Sequence, residues 1–189
     1  MKKTIIAKDG TRFLVREPKT SDLKQIMNMF NRTIVEPGIG LNMKKKATLK
    51  EEKAWLKGTL TAIKKKEKVD FIMEKDGKIV GNAEIRRRAM NTKESHTATF
   101  GIMIAKEVRD KGLAQRIIPI LIDIAKKRMK GLEIVELEVF ETNKRAQHVY
   151  EKMGFKTVGM IPHKVKTKEG YQGSVIMLKH LKKIGHNLY

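Results

Sequence analysis

The sequence predicts a single mixed α/β domain of six to seven strands and about four helices. Strand-like and helix-like patterns alternate along the chain, which is typical of this fold class. The length of 189 residues suits one domain spanning residues 1–189, and the chain contains neither an internal repeat nor a low-complexity linker. Its 40% apolar and 33% charged residues are typical of a folded globular protein rather than a disordered one.

Alternation and turn residues locate the predicted strands. In the clearest of them, glutamates separate the apolar residues Val135, Leu137 and Val139. Asp76-Gly77 is a strong turn dipeptide, and it predicts a tight hairpin between two of the strands. The predicted strands cover residues 12–16, 70–75, 78–87, 97–104, 134–140, 155–161 and 174–178.

Apolar residues at helical spacing locate the predicted helices. Thr20-Ser21-Asp22 is a helix start, and Gly154 suits a helix end. Pro119 lies inside one predicted helix, and a proline in a regular helix interior destabilises the helix by about 3 kcal/mol. We therefore expect this helix either to kink at Pro119 or to begin after it. One helix follows the Thr20 start, and the others cover residues 49–67, 113–128 and 143–153.

Cysteine is absent from the chain. This excludes a disulfide framework, a thiolate metal site and catalysis through a cysteine nucleophile. The histidines show no spacing typical of metal ligands. Because no apolar run is long enough to span a bilayer and the first residues are too polar for a signal peptide, we expect a cytoplasmic protein without a membrane partner.

The formal net charge of the chain is +21, from 42 Lys and Arg against 21 Asp and Glu. A field of this sign attracts anions such as a phosphate-bearing cofactor, a nucleic acid, a ribosome or an acidic peptide. The charge is spread along the chain, which favours the alternative explanation that most of these lysines are simply solvated surface residues.

A short basic turn between a predicted strand and a predicted helix carries the first functional signal. The chain leaves the strand after Ile104, passes Arg109 and Lys111, and enters the helix at Gly112. Helix N-termini bind phosphate through unpaired N–H groups, and glycine allows a ligand to approach the backbone closely. Neither GxxxxGK[ST] nor GxGxxG is present, which disfavours a nucleotide triphosphatase and a dinucleotide fold. The alternative is an ordinary basic helix start with a turn glycine.

A second motif lies downstream, where another predicted strand leads into a helix. Asn143 begins this helix, and Ala146 and Tyr150 follow three and seven residues later. Gly154-Phe155 completes the pattern. Together with Arg-x-x-Gly-x-Ala in the basic turn, this pattern resembles the signatures of the GNAT superfamily of acetyl-CoA-dependent N-acetyltransferases, and the resemblance covers nearly the whole chain.

The resemblance implies a GNAT-like fold with a central mixed, mostly antiparallel sheet, in which two parallel strands, 97–104 and 134–140, splay apart at one end. It implies acetyl-CoA as the cofactor, with its pantetheine paired to the backbone in the gap and its diphosphate on N–H groups of the turn. Asn143 would reach the pantetheine amides, although asparagine also favours the N-cap position. The cofactor-binding residues implied in this way are Ile102, Met103, Ile104, Arg109, Asp110, Lys111, Gly112, Leu113, Ala114, Gln115, Asn143, Ala146 and Tyr150.

The resemblance also implies direct attack of an amine on the thioester, which agrees with the absence of cysteine. Tyr150 is the predicted general acid, because a tyrosine with an ordinary pKa of about 10 stays protonated at neutral pH. Its alternative role is packing in the core. Many relatives carry a carboxylate on the strand before the phosphate turn, and this chain does not. His96 and Glu84 are the two candidates for the general base, and proton transfer through water is a third route.

No motif names the acceptor. We expect an N-acetyltransferase acting on a primary amine of a small molecule or of a protein N-terminus, with a ribosome or another acidic partner in the second case. The alternative is a ribosome- or nucleic-acid-binding module of the same fold without robust catalysis. The few aromatic residues (six Phe, three Tyr and one Trp) argue against a base-stacking surface. A homodimer is compatible with the sequence. The acceptor pocket is expected around residues 34–42, Glu84 and 163–171, with Arg86-Arg87-Arg88 near its mouth.

Overall fold

The computed structural model describes residues 1–36, 45–167 and 170–182, which contain eight strands and four α-helices. None of these helices is both long and apolar enough to cross a membrane. The helices are α1 (Leu23–Thr33), α2 (Leu49–Lys64), α3 (Leu113–Arg128) and α4 (Lys144–Lys152). The strands are β1 (Lys2–Ile6), β2 (Arg12–Arg16), β3 (Lys68–Lys75), β4 (Lys78–Arg87), β5 (Thr97–Ile104), β6 (Ile134–Phe140), β7 (Lys156–Thr167) and β8 (Gly170–His180).

The strands form one mixed sheet in the order β1-β2-β3-β4-β5-β6-β8-β7. Neighbouring strands are antiparallel except β5 and β6, which are parallel. Helices α3 and α4 pack on one face of the sheet, and α1 and α2 cover the other. Strand β3 serves both layers, because Phe71 and Met73 join the larger core beneath α3 while Ile72 joins the smaller core beneath α1 and α2.

The sequence-based expectation of a mixed, mostly antiparallel sheet is confirmed, but the sheet has eight strands rather than six to seven. The additional strand is β1, whose sequence Lys-Lys-Thr-Ile-Ile does not alternate and buries only Ile5. Its position is set by antiparallel pairing with β2 along its whole length. Local periodicity therefore carried no signal for this strand.

The local turn and helix signals are matched by the structure. Asp76 and Gly77 have φ angles of +48° and +75°, the left-handed conformation that a two-residue hairpin turn requires. Helix α3 begins at Leu113 and runs through Pro119, so a later start is excluded. Pro119 is exposed, which places its ring on the solvent side of the helix. Gly154, with φ +83°, follows the end of α4.

Candidate functional site

Strands β5 and β6 pair over only part of their length. Their parallel ladder joins residues 97–99 to residues 134–136. Beyond this ladder, β5 stays paired with β4 as far as Ile104, and β6 stays paired with β8 as far as Phe140. Since each strand is held along its outer edge while the facing edges separate, a cleft of about 590 Å³ opens between them. Every cofactor-binding residue predicted from the sequence lines this cleft except Lys111.

The inner edge of β5 presents backbone hydrogen-bonding groups to the cleft. The N–H of Ala105 donates to the carbonyl of Val80 at 2.9 Å, on the β4 side. The carbonyl of Thr97 also faces β4, because it accepts from the N–H of Arg88 at 3.2 Å. Backbone groups alternate in direction along a strand, so the N–H and carbonyl of Ile102 point into the cleft. An extended ligand in the cleft would pair with them like an added strand.

The basic turn after β5 ends at the N-terminus of α3, which faces the same cleft. Gly112 is the N-cap residue of α3 and has φ +72°, a conformation that favours glycine. No described side chain caps this helix end, and the N–H groups of residues 113–115 have no acceptor within the helix. These N–H groups and the helix dipole together favour an anion at this position.

Arg109 and Lys111, the two basic residues that the sequence indicated in this turn, both form contacts with other protein groups. Arg109 donates its Nε to the carbonyl of Ile104 at 2.8 Å and forms an ion pair with Glu36 at 2.7 Å. Lys111 hydrogen-bonds Asp9 at 2.7 Å, which holds the pKa of Asp9 below its usual range, and Lys111 lies outside the cleft lining. Arg109 does line the cleft, and its buried Nη2 has no hydrogen-bond partner among the described residues.

Two other cations line the cleft that the sequence did not single out. Lys8 comes from the turn between β1 and β2 and packs over Gly112, where an added Cβ would lie 3.0 Å from Lys8 Cε. Arg145, in the first turn of α4, forms an ion pair with Asp110 of the basic turn. Both positions depend on distant segments meeting at the turn, so no local pattern in the sequence could have found them.

Helix α4 brings the second motif to the cleft. Asn143 is its N-cap residue, and the Asn143 side-chain oxygen accepts the N–H of Ala146 at 3.1 Å. Asparagine therefore has its capping role here, and its side-chain NH₂ is left as a donor. The Tyr150 ring packs against Phe100 and Phe155, with ring centroids 5.8 and 6.0 Å away. Burial raises the pKa of Tyr150 to about 12, so this hydroxyl stays protonated at neutral pH.

The structure separates the two candidates for the general base. His96 precedes β5 at the end where β5 and β6 are paired, and its carbonyl accepts from the N–H groups of Glu133 and Ile134. His96 is not among the residues that line the cleft. Glu84 on β4 does not line it either, but it lies directly opposite Gly101, which does. Of the two, Glu84 is therefore the closer to the point where β5 and β6 diverge.

The residues expected around the acceptor are only partly described. Residues 37–42 and 168–169 of the predicted pocket lie outside the described residues. Arg86-Arg87-Arg88 does not form one exposed cluster. Arg87 is buried and donates to the carbonyl of Lys130 at 2.9 Å, whereas Arg88 pairs with Glu136 and Arg86 is exposed.

Fold and site together define a class of protein: an α/β domain with a cleft between two diverging parallel strands, and with a helix N-terminus and basic side chains in the lining of that cleft. The sequence profile of the acetyltransferase (GNAT) family matches residues 29–155, more than half of the chain. The chain belongs to this family and is an acyl-CoA N-acyltransferase of the GNAT type.

Solved GNAT structures share the fold at low sequence identity. An N-acetyltransferase from Staphylococcus aureus Mu50 is 21% identical, with a TM-score of 0.80 over 90% of this chain and 99% of that one. The ribosomal-protein-alanine N-acetyltransferase of Brucella melitensis is 17% identical, with a TM-score of 0.78 over 88% and 99%. The yncA protein of Salmonella typhimurium, solved with its cofactor acetyl-CoA, is 14% identical, with a TM-score of 0.79 over 91% and 95%. A search of curated proteins found no match to the chain.

Proposed function

We propose that this protein transfers the acetyl group of acetyl-CoA to a primary amine by direct attack of the amine. The observation that carries this proposal is the divergence of β5 and β6, which opens a cleft between the N-terminus of α3 and Tyr150. The chain contains no cysteine, so a cysteine acyl-enzyme is not available as an intermediate.

The residues of the cleft fit a coenzyme with a diphosphate and an extended amide-bearing arm. The N–H groups of residues 113–115 are free to receive phosphate oxygens at the end of α3. The buried Nη2 of Arg109, which has no partner among the described residues, is a further donor. Lys8 and Arg145 line the cleft and add positive charge. The inner edge of β5 offers the amides of the arm the carbonyl of Ile102 and the N–H of Ile104.

Acetyl-CoA supplies an activated acyl group and a thiolate leaving group. Tyr150 donates its hydroxyl proton to that leaving group, and its raised pKa of about 12 keeps the proton in place until transfer. The N–H of Ile102 faces the cleft and stabilises the negative charge that develops on the acyl oxygen. Glu84, opposite Gly101, accepts the proton of the amine, directly or through a water molecule.

The acceptor is a primary amine of a small molecule or of a protein N-terminus. The name of the Brucella neighbour, a ribosomal-protein-alanine N-acetyltransferase, favours the second class. A net charge of +21 also favours an acceptor presented on an anionic partner such as a ribosome and disfavours free polyamines. The same charge supports the alternative of a nucleic-acid-binding module without robust catalysis.

Release of free thiol from acetyl-CoA in the presence of an amine panel tests the proposal. The panel contains amino acids, an aminoglycoside, spermidine and a peptide that begins with alanine. We expect thiol release with at least one amine other than spermidine, matched by a mass increase of that amine. CoA binding without acetylation of any amine, together with RNA binding that weakens steeply with salt, would favour the binding module.

A further inference from the structure

A buried charge cluster lies beneath the cleft on the face covered by α1 and α2. At its centre is Lys68 of β3, whose side chain is completely buried. The Lys68 ammonium hydrogen-bonds the Thr59 hydroxyl at 2.9 Å. It forms ion pairs with Asp70 at 2.8 Å and Glu84 at 2.5 Å, and it lies 4.9 Å from the centre of the Trp55 ring. Oxygen atoms of three side chains thus lie within 2.9 Å of this ammonium.

The cluster is connected to the cleft through Glu84. Asp70 and Glu84 are cross-strand partners on β3 and β4, and Glu84 is in turn the partner of Gly101 on β5. Gly101 lines the cleft, and a Cβ added to it would lie 3.7 Å from Glu84 Cγ. Because glycine has no side chain, nothing from this position separates Glu84 from the cleft. The Glu84 side chain is 26% exposed, whereas those of Lys68 and Asp70 are fully buried.

The charges of the cluster do not balance. One ammonium faces two carboxylates, so the cluster has a net charge of −1 when all three groups are ionised. Asn82 donates to one Asp70 oxygen at 2.5 Å, but the other is buried without an aligned hydrogen-bond donor. Burial and the neighbouring Glu84 raise the pKa of Asp70 above its usual range, against the effect of Lys68. Uptake of one proton makes the cluster neutral, the state that a buried site favours.

Within the described part of the chain, few other charges face the cluster. On β4, Arg86 lies on the same side of the sheet and is exposed. On α2, Glu52 is buried one turn before Trp55, and burial raises its pKa. Strand β5 contributes the uncharged Thr99, Gly101 and Met103 on this side, and the buried residues of α1 are uncharged as well.

We propose that Lys68 and Asp70 are positioning residues that make Glu84 the proton acceptor for the amine substrate. The proposal rests on the proposed function, because it assigns the base of that reaction. In the step, one N–H bond of the substrate ammonium breaks, an O–H bond forms on Glu84, and the electron pair stays on nitrogen for attack. The cluster passes from −1 to 0 as it takes the proton. Lys68 holds Glu84 beside Gly101, and Asp70 holds the Lys68 ammonium from the same strand, β3.

Two substitutions that remove charges of opposite sign, one at Asp70 and one at Lys68, test whether these residues control proton uptake by Glu84. Asp70→Asn removes a negative charge, so the acidic limb of kcat/KM should move to lower pH by about one unit. Lys68→Met removes the positive charge, so the same limb should move to higher pH by a similar amount. Asp22→Asn is the matched control: Asp22 is a buried carboxylate paired with Arg16 at 2.7 Å, on the β2 side of the sheet. This control should lower stability and leave the limb in place.

The pH profiles use acetyl-CoA with the panel amine of highest turnover, and carbon-13 NMR of the carboxyl groups follows proton uptake in the protein without ligands. Displacement of proton uptake and of the kinetic limb in these two directions supports the proposal. A lower kcat with an unmoved limb means that Lys68 and Asp70 act only on folding and overturns it. If Lys68→Met does not fold, Asp70→Asn decides alone. Displaced proton uptake with an unmoved limb overturns the base role but leaves the acetyltransferase proposal standing. Absence of CoA binding and of thiol release in the wild type defeats both.

Discussion

Replacement of Gly112 by valine should weaken coenzyme binding far more than it weakens the fold. Gly112 has φ +72°, and an L-residue in this region loses about 1–2 kcal/mol. A side chain there also meets Lys8, whose Cε and Cγ lie 3.0 and 3.1 Å from an added Cβ, next to the N–H groups of α3. Displacing one phosphate from a charge-assisted hydrogen bond removes about 1.5–3 kcal/mol, or roughly tenfold to hundredfold in CoA affinity.

Gly131 provides the matched control. It has φ +76° and nothing within 4 Å of an added Cβ, and it is not among the residues that line the cleft. Gly112→Val and Gly131→Val should therefore lower the Tm by similar amounts, about 2–8 °C. Calorimetric titration with CoA should show normal affinity for Gly131→Val and at least tenfold weaker affinity for Gly112→Val. Equal CoA affinity in the two variants would refute the assignment of a phosphate to this turn.

Three further predictions concern Tyr150 and Lys8. Tyr150→Phe keeps the ring packing against Phe100 and removes only the hydroxyl. Steady-state kinetics should show a kcat about 100-fold lower, and calorimetry should show unchanged CoA affinity. Equal turnover of variant and wild type excludes the hydroxyl from the mechanism. Burial raises the pKa of Tyr150 from 10.0 to about 12, so the neutral hydroxyl stabilises the folded state fully below pH 10, and this contribution is lost as pH rises through 12. Between pH 10 and pH 12 the free energy of unfolding measured with urea should therefore fall by about 2 kcal/mol more in the wild type than in Tyr150→Phe. Equal decreases in the two proteins contradict the burial argument. Lys8→Met should weaken CoA binding about threefold at low salt and less at high salt. Lys106 is exposed and lies outside the cleft lining, so Lys106→Met should leave CoA affinity unchanged. Identical CoA affinities of the two variants exclude Lys8 from the site.

Local sequence patterns predicted many of the turns and helices of this fold, because the conformation of these elements depends mainly on neighbouring residues. Asp76-Gly77 specifies its own turn conformation, and the α3 helix matches its apolar spacing despite Pro119. The site motifs are local as well, since each consists of a strand end and the helix that follows it. The cleft between the diverging strands was predicted only through the resemblance to the GNAT superfamily that the motifs at Gly112 and Asn143 carry.

The charges around the cleft depend on contacts between distant parts of the chain. Lys111 looked like a phosphate ligand, but Asp9, about one hundred positions earlier in the chain, pairs with it. Arg109 is held partly by Glu36 in the same way. Lys68 and Asp70 gave no motif at all, because their significance arises only when β3 and β4 place them beside Glu84.

We propose that the gap between β5 and β6 receives the coenzyme, and a crystal structure of the protein with CoA is the decisive experiment. We expect diphosphate oxygens within hydrogen-bonding distance of the N–H groups of residues 113–115 and the pantetheine arm alongside Ile102. Tyr150 should lie beside the sulfur. A coenzyme bound elsewhere on the protein, or β5 and β6 paired along their full length in the complex, would contradict it.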